Sequence, residues 1–223
     1  MNYGLSILFR LIPLVMGLIC FFLGLNVLGL HDGPGSFVSG HVLISLAAIC
    51  YALFTTASVI IQQLIGSFNR FLMFLWPTTG YLAALVTIVW GASVLGKGDA
   101  DHFVAGHVII GVGMIAACVS TVAAASGKFT LIPANAAGQA ATGVPATAYS
   151  RAVARAFVLV PGVLFVIGLL WALGLLIRHG AASEIVAGNV LLGLSLICGS
   201  LIALVGTIVR QVRNEFGERE RWH

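Results

Sequence analysis

The feature that most constrains the fold of this 223-residue chain is a series of apolar segments, each of about twenty residues or more. The segments lie at 8–30, 37–64, 71–95, 103–126, 155–177 and 185–209. A hydrocarbon core about 30 Å thick is crossed by roughly 20 apolar residues in an α-helix. Strands of a membrane barrel would instead show segments of about ten residues with alternating hydrophobicity. The sequence therefore predicts an all-α polytopic membrane protein with six transmembrane helices.

Composition excludes a water-soluble globular domain. Only 8% of the residues are charged and 60% are hydrophobic, whereas soluble domains contain about 25% charged residues. In lipid, every backbone N–H and C=O needs a partner within the chain, and helices provide one. The net charge of +4 does not indicate nucleic-acid binding, because the basic residues flank the predicted spans and form no surface with aromatic residues. We expect the chain to be surrounded by the lipid bilayer and to have no nucleic-acid partner.

The positive residues predict an orientation. Nine of the eleven lysines and arginines fall on the side of the N-terminus, and only Lys97 and Arg178 fall on the other side. Cytoplasmic loops of membrane proteins carry an excess of these residues. The distribution predicts that both termini are cytoplasmic. The charged tail at 211–223 should continue the last helix for a turn or two.

Three segments of the sequence align without a gap. They are FVSGHVLISLAAIC at 37–50, FVAGHVIIGVGMIA at 103–116 and IVAGNVLLGLSLIC at 185–198. Each opens an even-numbered predicted helix, and each is preceded by a predicted helix with a proline, namely Pro13, Pro77 or Pro161. A repeated unit of this length indicates one supersecondary element used several times. The sequence therefore predicts three tandem helical-hairpin repeats.

The repeats define the organisation of the chain, which we expect to form a single membrane domain over 1–223. The boundaries are repeat 1 at 8–64, repeat 2 at 71–126, a cytoplasmic loop at 127–154, repeat 3 at 155–210 and a cytoplasmic tail at 211–223. All three hairpins insert in the same direction. They are therefore parallel repeats, which disfavours a secondary transporter built from inverted repeats.

A polar residue follows the glycine of each aligned segment: His41, His107 and Asn189. Glycine allows membrane helices to approach closely. A histidine or asparagine that points at lipid would lack hydrogen-bond partners. We therefore expect these three side chains to face the interior of the bundle near its outer end.

Titratable residues concentrate at the same predicted end. The histidines are His31, His41, His102, His107 and His179, and the acids of the outer loops are Asp32, Asp99, Asp101 and Glu184. An unperturbed imidazole titrates near pH 6.5, so mild acid would add positive charges beside these carboxylates. This pattern predicts a pH-responsive channel or sensor. Asp101 and Glu184 also suit the first turn of a helix, where the dipole favours a negative charge.

Two other interpretations remain open. His41 and His107 lie at the same predicted depth, and two helix-borne histidines can ligate haem or a transition metal, which would make the chain a redox subunit. Alternatively, the polar residues only join helices, and the chain is a structural or assembly subunit of a membrane complex. The leading interpretation requires no cofactor and no metal.

Several activities are disfavoured by what the sequence lacks. No Asp, Glu, Lys or Arg falls in the middle of a predicted span, although proton-coupled carriers place carboxylates there. The sequence has no glycine-rich phosphate loop, no HExxH motif and no CxxC motif. We therefore expect a protein that is not an enzyme.

The aligned segments, together with RLIPLVMGLIC near the start and VRNEFGERERW at the end, resemble the YhiM family of bacterial inner-membrane proteins. The resemblance covers nearly the whole chain. It implies a link with survival in acid and transfers no catalytic or binding residues. Family members are longer and continue beyond the segment that matches Glu218–Trp222. The resemblance thus implies a short member, a piece of a longer protein, or a chain that completes its bundle as a homo-oligomer or with another membrane protein.

Overall fold

A computed structural model describes residues 3–30, 34–64, 70–129, 151–178 and 181–219. Every regular element in these ranges is an α-helix. The helices are α1 (Tyr3–Gly29), α2 (Pro34–Leu64), α3 (Arg70–Leu95), α4 (Ala100–Phe129), α5 (Arg151–Arg178) and α6 (Ala182–Arg219). The predicted all-α class is confirmed.

All six helices are long and apolar enough to cross a membrane. Their apolar stretches range from 20 residues in α1 to 28 residues in α2, α4 and α6. Large apolar side chains are exposed on the outside of the bundle, as lipid contact allows; Phe74, at 73% exposure, is an example. The chain is therefore a polytopic membrane protein with six transmembrane helices, as the sequence predicted.

The helix ends differ from the predicted segments in several places. Helices α2 and α4 begin three residues earlier than predicted, and Pro34 at the start of α2 suits the first turn, where no backbone N–H is needed. Helix α6 continues to Arg219. The predicted loop at 127–154 is helical at both ends, since α4 reaches Phe129 and α5 begins at Arg151. The rest of that loop, 130–150, lies outside the described residues.

The helices pack as neighbours along the chain. Helix α1 packs on α2, α3 on α4 and α5 on α6, and the even helices α2, α4 and α6 form a row with α4 in the middle. Helix α4 is buried along almost its whole apolar stretch, whereas α1 and α6 are mostly exposed. Helix α1 packs on α2 at one end of this row, and α6 packs on α4 and α5 at the other end.

Each hairpin contains a close approach between its two helices at the motif glycine. The motif glycine of the even helix lies against a small residue of the preceding helix: Gly40 against Gly24, Gly106 against Gly91, and Gly188 against Ala172. A Cβ on Gly24 would lie only 2.8 Å from the carbonyl oxygen of Gly40. Small residues are needed at such crossings. The tandem repeat stays a prediction, which these three matching contacts support.

Candidate functional site

The motif histidines lie at the end of the bundle where the two helices of each hairpin connect, around 31–33, 96–99 and 179–181. We call this the histidine end, and the opposite end, which holds Arg10, the arginine end.

His41 is buried between two aromatic side chains at the histidine end. Its Nδ1–H donates a hydrogen bond to the carbonyl oxygen of Phe37, at 2.8 Å. The imidazole centroid lies 4.2 Å from the ring of Phe37 and 5.3 Å from the indole of Trp90 in α3. Because a carbonyl only accepts, Nδ1 carries the proton, and Nε2 of the neutral ring carries the lone pair. The contact with Trp90 makes His41 part of the boundary between the first and second hairpins.

His107 has the same surroundings one hairpin further along. Its Nδ1–H donates to the carbonyl oxygen of Phe103, at 2.7 Å. Its ring centroid lies 4.3 Å from that of Phe103 and 5.0 Å from that of Trp171 in α5. The exposed fraction of the residue is 2%, compared with 9% for His41. Each histidine therefore lies between a phenylalanine one turn earlier on its own helix and a tryptophan of the next hairpin.

Asp99 and His102 form an accessible pair at the start of α4. The backbone N–H of His102 donates to Oδ1 of Asp99 at 2.8 Å, and the His102 ring nitrogen Nδ1 lies 2.6 Å from Oδ2. Asp99 thereby caps the N-terminus of α4. The backbone N–H of His102, and then its ring N–H, hold the pKa of the Asp99 carboxyl below its usual value. The side chain of Asp99 is 60% exposed and that of His102 is 20% exposed, so water reaches both.

Phe37 connects this accessible pair to the buried histidine. The centroid of its ring lies 4.3 Å from the ring of His102, and the ring of His41 lies on it as well. Contacts thus run without a break from Asp99 through His102 and Phe37 to His41 and Trp90. The titratable surface pair of Asp99 and His102 is therefore connected through Phe37 to side chains that pack between α2, α3 and α4.

Asn189 does not face the interior of the bundle, and that expectation is wrong. The residue is exposed, because α6 is an edge helix whose other sides pack on α5 and α4. In the described part of the chain its amide has no hydrogen-bond partner. The residue aligned with His41 and His107 therefore has different surroundings.

The remaining predicted residues divide into two groups. Glu184 accepts a hydrogen bond from the backbone N–H of Ala181, at 3.2 Å, and Asp101 lies in the first turn of α4. His31, Asp32 and His179 lie outside the described residues.

The two histidines predicted as possible haem or metal ligands contact aromatic rings of different helices. The ring neighbours of His41 belong to α2 and α3, and those of His107 belong to α4 and α5. No ring contact joins the two imidazoles within the described residues. No group of three or more His, Cys, Asp or Glu side chains there has the arrangement of a metal site.

The sequence interpretation missed the aromatic partners of the histidines. Phe37 and Phe103 precede their histidines by four residues, and this spacing was available as a signal. Trp90 and Trp171 belong to the next hairpin, so alignment of the hairpins alone could not pair them with the histidines. At the arginine end, the guanidinium carbon of Arg10 lies 5.4 Å from the ring centroid of Phe54 and 5.3 Å from that of Trp76, a cation–π arrangement.

A polar contact also crosses the middle of the bundle. The hydroxyls of Tyr81 and Thr121 lie 2.6 Å apart and join α3 to α4. The hydroxyl of Thr56 donates to the carbonyl oxygen of Val119, at 3.4 Å, and joins α2 to α4. These neutral groups fix how the helices pack without placing a charge in the membrane.

Comparison with known proteins agrees with this architecture. The chain is 53% identical, over 224 residues, to the inner membrane protein YhiM of Escherichia coli (strain K12). The match covers all of this chain and 64% of the length of that relative. No solved structure matches the chain. The family of proteins of unknown function designated DUF2776 matches residues 1–223. The predicted resemblance is thus confirmed, and the chain belongs to the DUF2776 family.

Proposed function

We propose that the chain is a non-enzymatic inner-membrane protein of acid or envelope stress, in which the histidine end is the pH-responsive element of a channel or sensor. The observation that carries this proposal is the position of His102, which contacts both the Asp99 carboxylate and the ring of Phe37. The distribution of lysine and arginine supports an orientation with the histidine end outside the cytoplasm. External acid then reaches this end first.

The first step is protonation at the accessible pair. The carboxylate of Asp99 is ionised throughout the range in which histidines titrate, because its pKa is lowered by the two donors of His102. Protonation of His102 therefore produces an imidazolium beside a carboxylate. Charge-assisted hydrogen bonds are shorter and stronger than neutral ones. Acid should tighten this contact and hold the start of α4 more rigidly.

The second step passes through Phe37. Its ring packs on His102, and its carbonyl oxygen accepts the Nδ1–H bond of His41. A movement of His102 therefore displaces the ring of Phe37, and Phe37 is the residue whose backbone carbonyl holds His41. Because Phe37 is in the second turn of α2, the change is passed to α2 as a movement against α3 and α4.

The third step is protonation of His41. The second N–H of the imidazolium needs an acceptor, and among the described residues the side chains in ring contact with His41 are the aromatic Phe37 and Trp90. Aromatic faces stabilise a cation only in part. Water must therefore enter, or the contact between α2 and α3 must open. The titratable groups that reach this region from α4 and its preceding loop are His102 and Asp99.

The proposal is tested with purified protein in lipid nanodiscs and in planar bilayers. Tryptophan fluorescence and ion conductance are measured between pH 8 and pH 4.5. The unmodified protein should show an acid-dependent transition, which is lost in the double variant His41→Gln, His107→Gln. His223→Gln serves as the control, since it removes a histidine of the tail, and it should leave the transition unchanged. An identical pH profile in the double variant and the unmodified protein would overturn the proposal.

A further inference from the structure

Buried hydroxyl groups follow the contact between α2, α3 and α4, three helices that all pack on one another. Six of these seven side chains are buried and the seventh, Tyr81, is partly buried. The seam lies inside the bundle, so its surroundings do not depend on what packs on the outer helices. We call it the hydroxyl seam, and it consists of Ser45, Thr55 and Thr56 in α2, Tyr81 and Thr87 in α3, and Ser120 and Thr121 in α4.

At the histidine end, the hydroxyl seam begins one turn inside the stacked pair of His41 and Trp90. Ser45 follows His41 by four residues in α2, and Thr87 precedes Trp90 by three residues in α3. Positions at these spacings share a face of the helix. The hydroxyls of Ser45 and Thr87 therefore lie at a similar depth, one turn from the titratable imidazole.

Further along the bundle, four hydroxyls from three helices meet in one polar layer. A Cβ on Gly80 would lie 2.5 Å from Oγ of Ser120 and 3.1 Å from Oγ1 of Thr55. Side chains of α2 and α4 thus approach each other over a position of α3 that has no side chain. The next residues of α3 and α4 are Tyr81 and Thr121, whose hydroxyls lie 2.6 Å apart.

An apolar layer separates these hydroxyls from Ser45 and Thr87. It contains Ala52 of α2, Ala84 of α3 and Ala117 of α4, which belong to one buried cluster. An alanine side chain neither donates nor accepts a hydrogen bond, so it cannot hold water in place. Apolar constrictions of this kind close a pore by excluding water.

Towards the arginine end, two buried polar atoms have no hydrogen-bond partner within the described residues. They are the indole Nε1 of Trp76 and the amide Oε1 of Gln62. Trp76 lies one turn from Gly80 in α3, and Gln62 lies two turns from Thr55 in α2, so both continue the faces of the hydroxyl seam. One atom donates and the other accepts. Buried polar atoms without a protein partner point to bound water.

We propose that the hydroxyl seam is the conduction path of the channel and that the conducted species is the proton. This inference rests on the proposed function, because the acid response at the histidine end is what opens the apolar layer to water. A hydroxyl both donates and accepts. Its oxygen takes up one proton and releases the proton it carried, so each group ends chemically unchanged.

Other ions fit the seam poorly. A metal cation or a chloride ion that loses its water needs an opposite charge in the protein. The buried polar side chains of the described helices include no Asp, Glu, Lys or Arg. A proton needs no such charge at each step, because it passes along hydrogen bonds between neutral hydroxyls and water.

Proton flux into liposomes tests the path. The full 223-residue chain is reconstituted around a trapped pH-sensitive dye. A potassium gradient with valinomycin then drives protons inward from an acidic medium. Tyr81→Phe removes one oxygen from the hydrogen-bonded pair with Thr121, and it should lower the proton flux about tenfold or more, since positioned groups accelerate proton transfer by at least that factor. Ser120→Ala should lower the flux as well.

Ser195→Ala is the matched control for Ser120→Ala. Both serines are buried in even helices, and each donates to a carbonyl oxygen one turn earlier, at 2.7 Å for Ser195 and 2.8 Å for Ser120. Ser195 belongs to α6 and lies outside the hydroxyl seam. Its replacement should leave the proton flux unchanged. Thermal unfolding should respond alike to the two alanine substitutions, so a purely structural role would not separate them.

The outcomes separate the path from the pH response. Equal proton flux in Tyr81→Phe, Ser120→Ala and the unmodified protein would refute the seam as the path. Osmotic water flow, or a current of other ions, without proton flux would refute it too. An acid-dependent change in tryptophan fluorescence without proton flux would refute the path and leave a sensor. Flux that Tyr81→Phe lowers, but that the double variant His41→Gln, His107→Gln does not alter, would establish the path and refute the proposed pH response.

Discussion

The indole of Trp90 stacks on the imidazole of His41, with ring centroids 5.3 Å apart and ring planes 25° apart. His107 and Trp171 make the corresponding contact at 5.0 Å, but with an angle of 65° between the planes. Each pair joins an even helix to the odd helix of the following hairpin. The hairpins are therefore connected at the histidine end through contacts between a histidine and a tryptophan.

Replacement of Trp90 should reveal this connection directly. Trp90→Leu is expected to lower the free energy of unfolding by about 1–3 kcal/mol, since it removes buried aromatic surface. A double-mutant cycle with His41→Gln should give a coupling energy of about 0.5–1.5 kcal/mol for the ring pair. Unfolding by denaturing detergent provides the measurement. Phe74→Leu, at a side chain that is 73% exposed, is the control and should change little. Additive effects of Trp90→Leu and His41→Gln would contradict the coupling.

The capping carboxylate should give a pH-dependent contribution to stability. The pKa of Asp99 is lower in the folded chain than in the unfolded chain. Its contribution is therefore present above the unfolded value of about 3.9 and is lost as the pH falls through the folded value. Asp99→Asn keeps an oxygen that accepts the backbone N–H of His102 but removes the charge. The Tm of this variant should be lower than that of the unmodified protein at pH 6, and the difference should shrink below pH 4. A difference that widens in acid would contradict the assignment.

Most of the fold could be predicted from the sequence, because lipid leaves few choices. Apolar segments of about twenty residues have to be helices, and the helices found at Arg70–Leu95 and Arg151–Arg178 agree with the predicted segments to within a few residues. The helix ends were less predictable: the charged tail was expected to continue the last helix, as α6 does to Arg219, but α1 begins at Tyr3, before its predicted start at residue 8. Polarity limits a transmembrane segment, but it does not end a helix that continues into water.

The candidate site was predictable only in part. The burial of His41 and His107 follows from the cost of an unpaired imidazole in lipid. The same argument failed for Asn189, which is exposed in the described residues although α6 packs on α5 and α4, because local sequence does not show which face of a helix its neighbours cover. The contacts of Trp90 and Trp171 were missed for a related reason. They join different hairpins, whereas the alignment compared positions within one hairpin.

The absorption spectrum should show no bound haem. An axial histidine must direct its Nε2 lone pair at the iron, and the Nδ1–H bonds of His41 and His107 do leave that nitrogen deprotonated. However, the two imidazoles pack on tryptophans of different helices. Protein purified from haem-replete cells is therefore expected to lack a Soret band. A stoichiometric Soret band that disappears in His41→Ala or His107→Ala would establish the redox interpretation instead.

The glycine crossings should be the least tolerant positions of the bundle. A Cβ on Gly106 would lie 2.8 Å from the backbone nitrogen and Cα of Leu95. These are backbone atoms that cannot rotate away, so Gly106→Ala must push α3 and α4 apart. The expected loss is about 1–3 kcal/mol in the free energy of unfolding.

Gly174→Ala is the matched control, because a Cβ there meets nothing within 4 Å. In a helix interior, alanine is favoured over glycine by about 0.5–1 kcal/mol, so this variant should be as stable as the unmodified protein or more stable. The opposite signs of the two changes in the free energy of unfolding distinguish the effect of helix packing from that of helix propensity. If Gly106→Ala were stabilising as well, the close crossing of α3 and α4 would be wrong, and with it the arrangement that places Trp90 on His41.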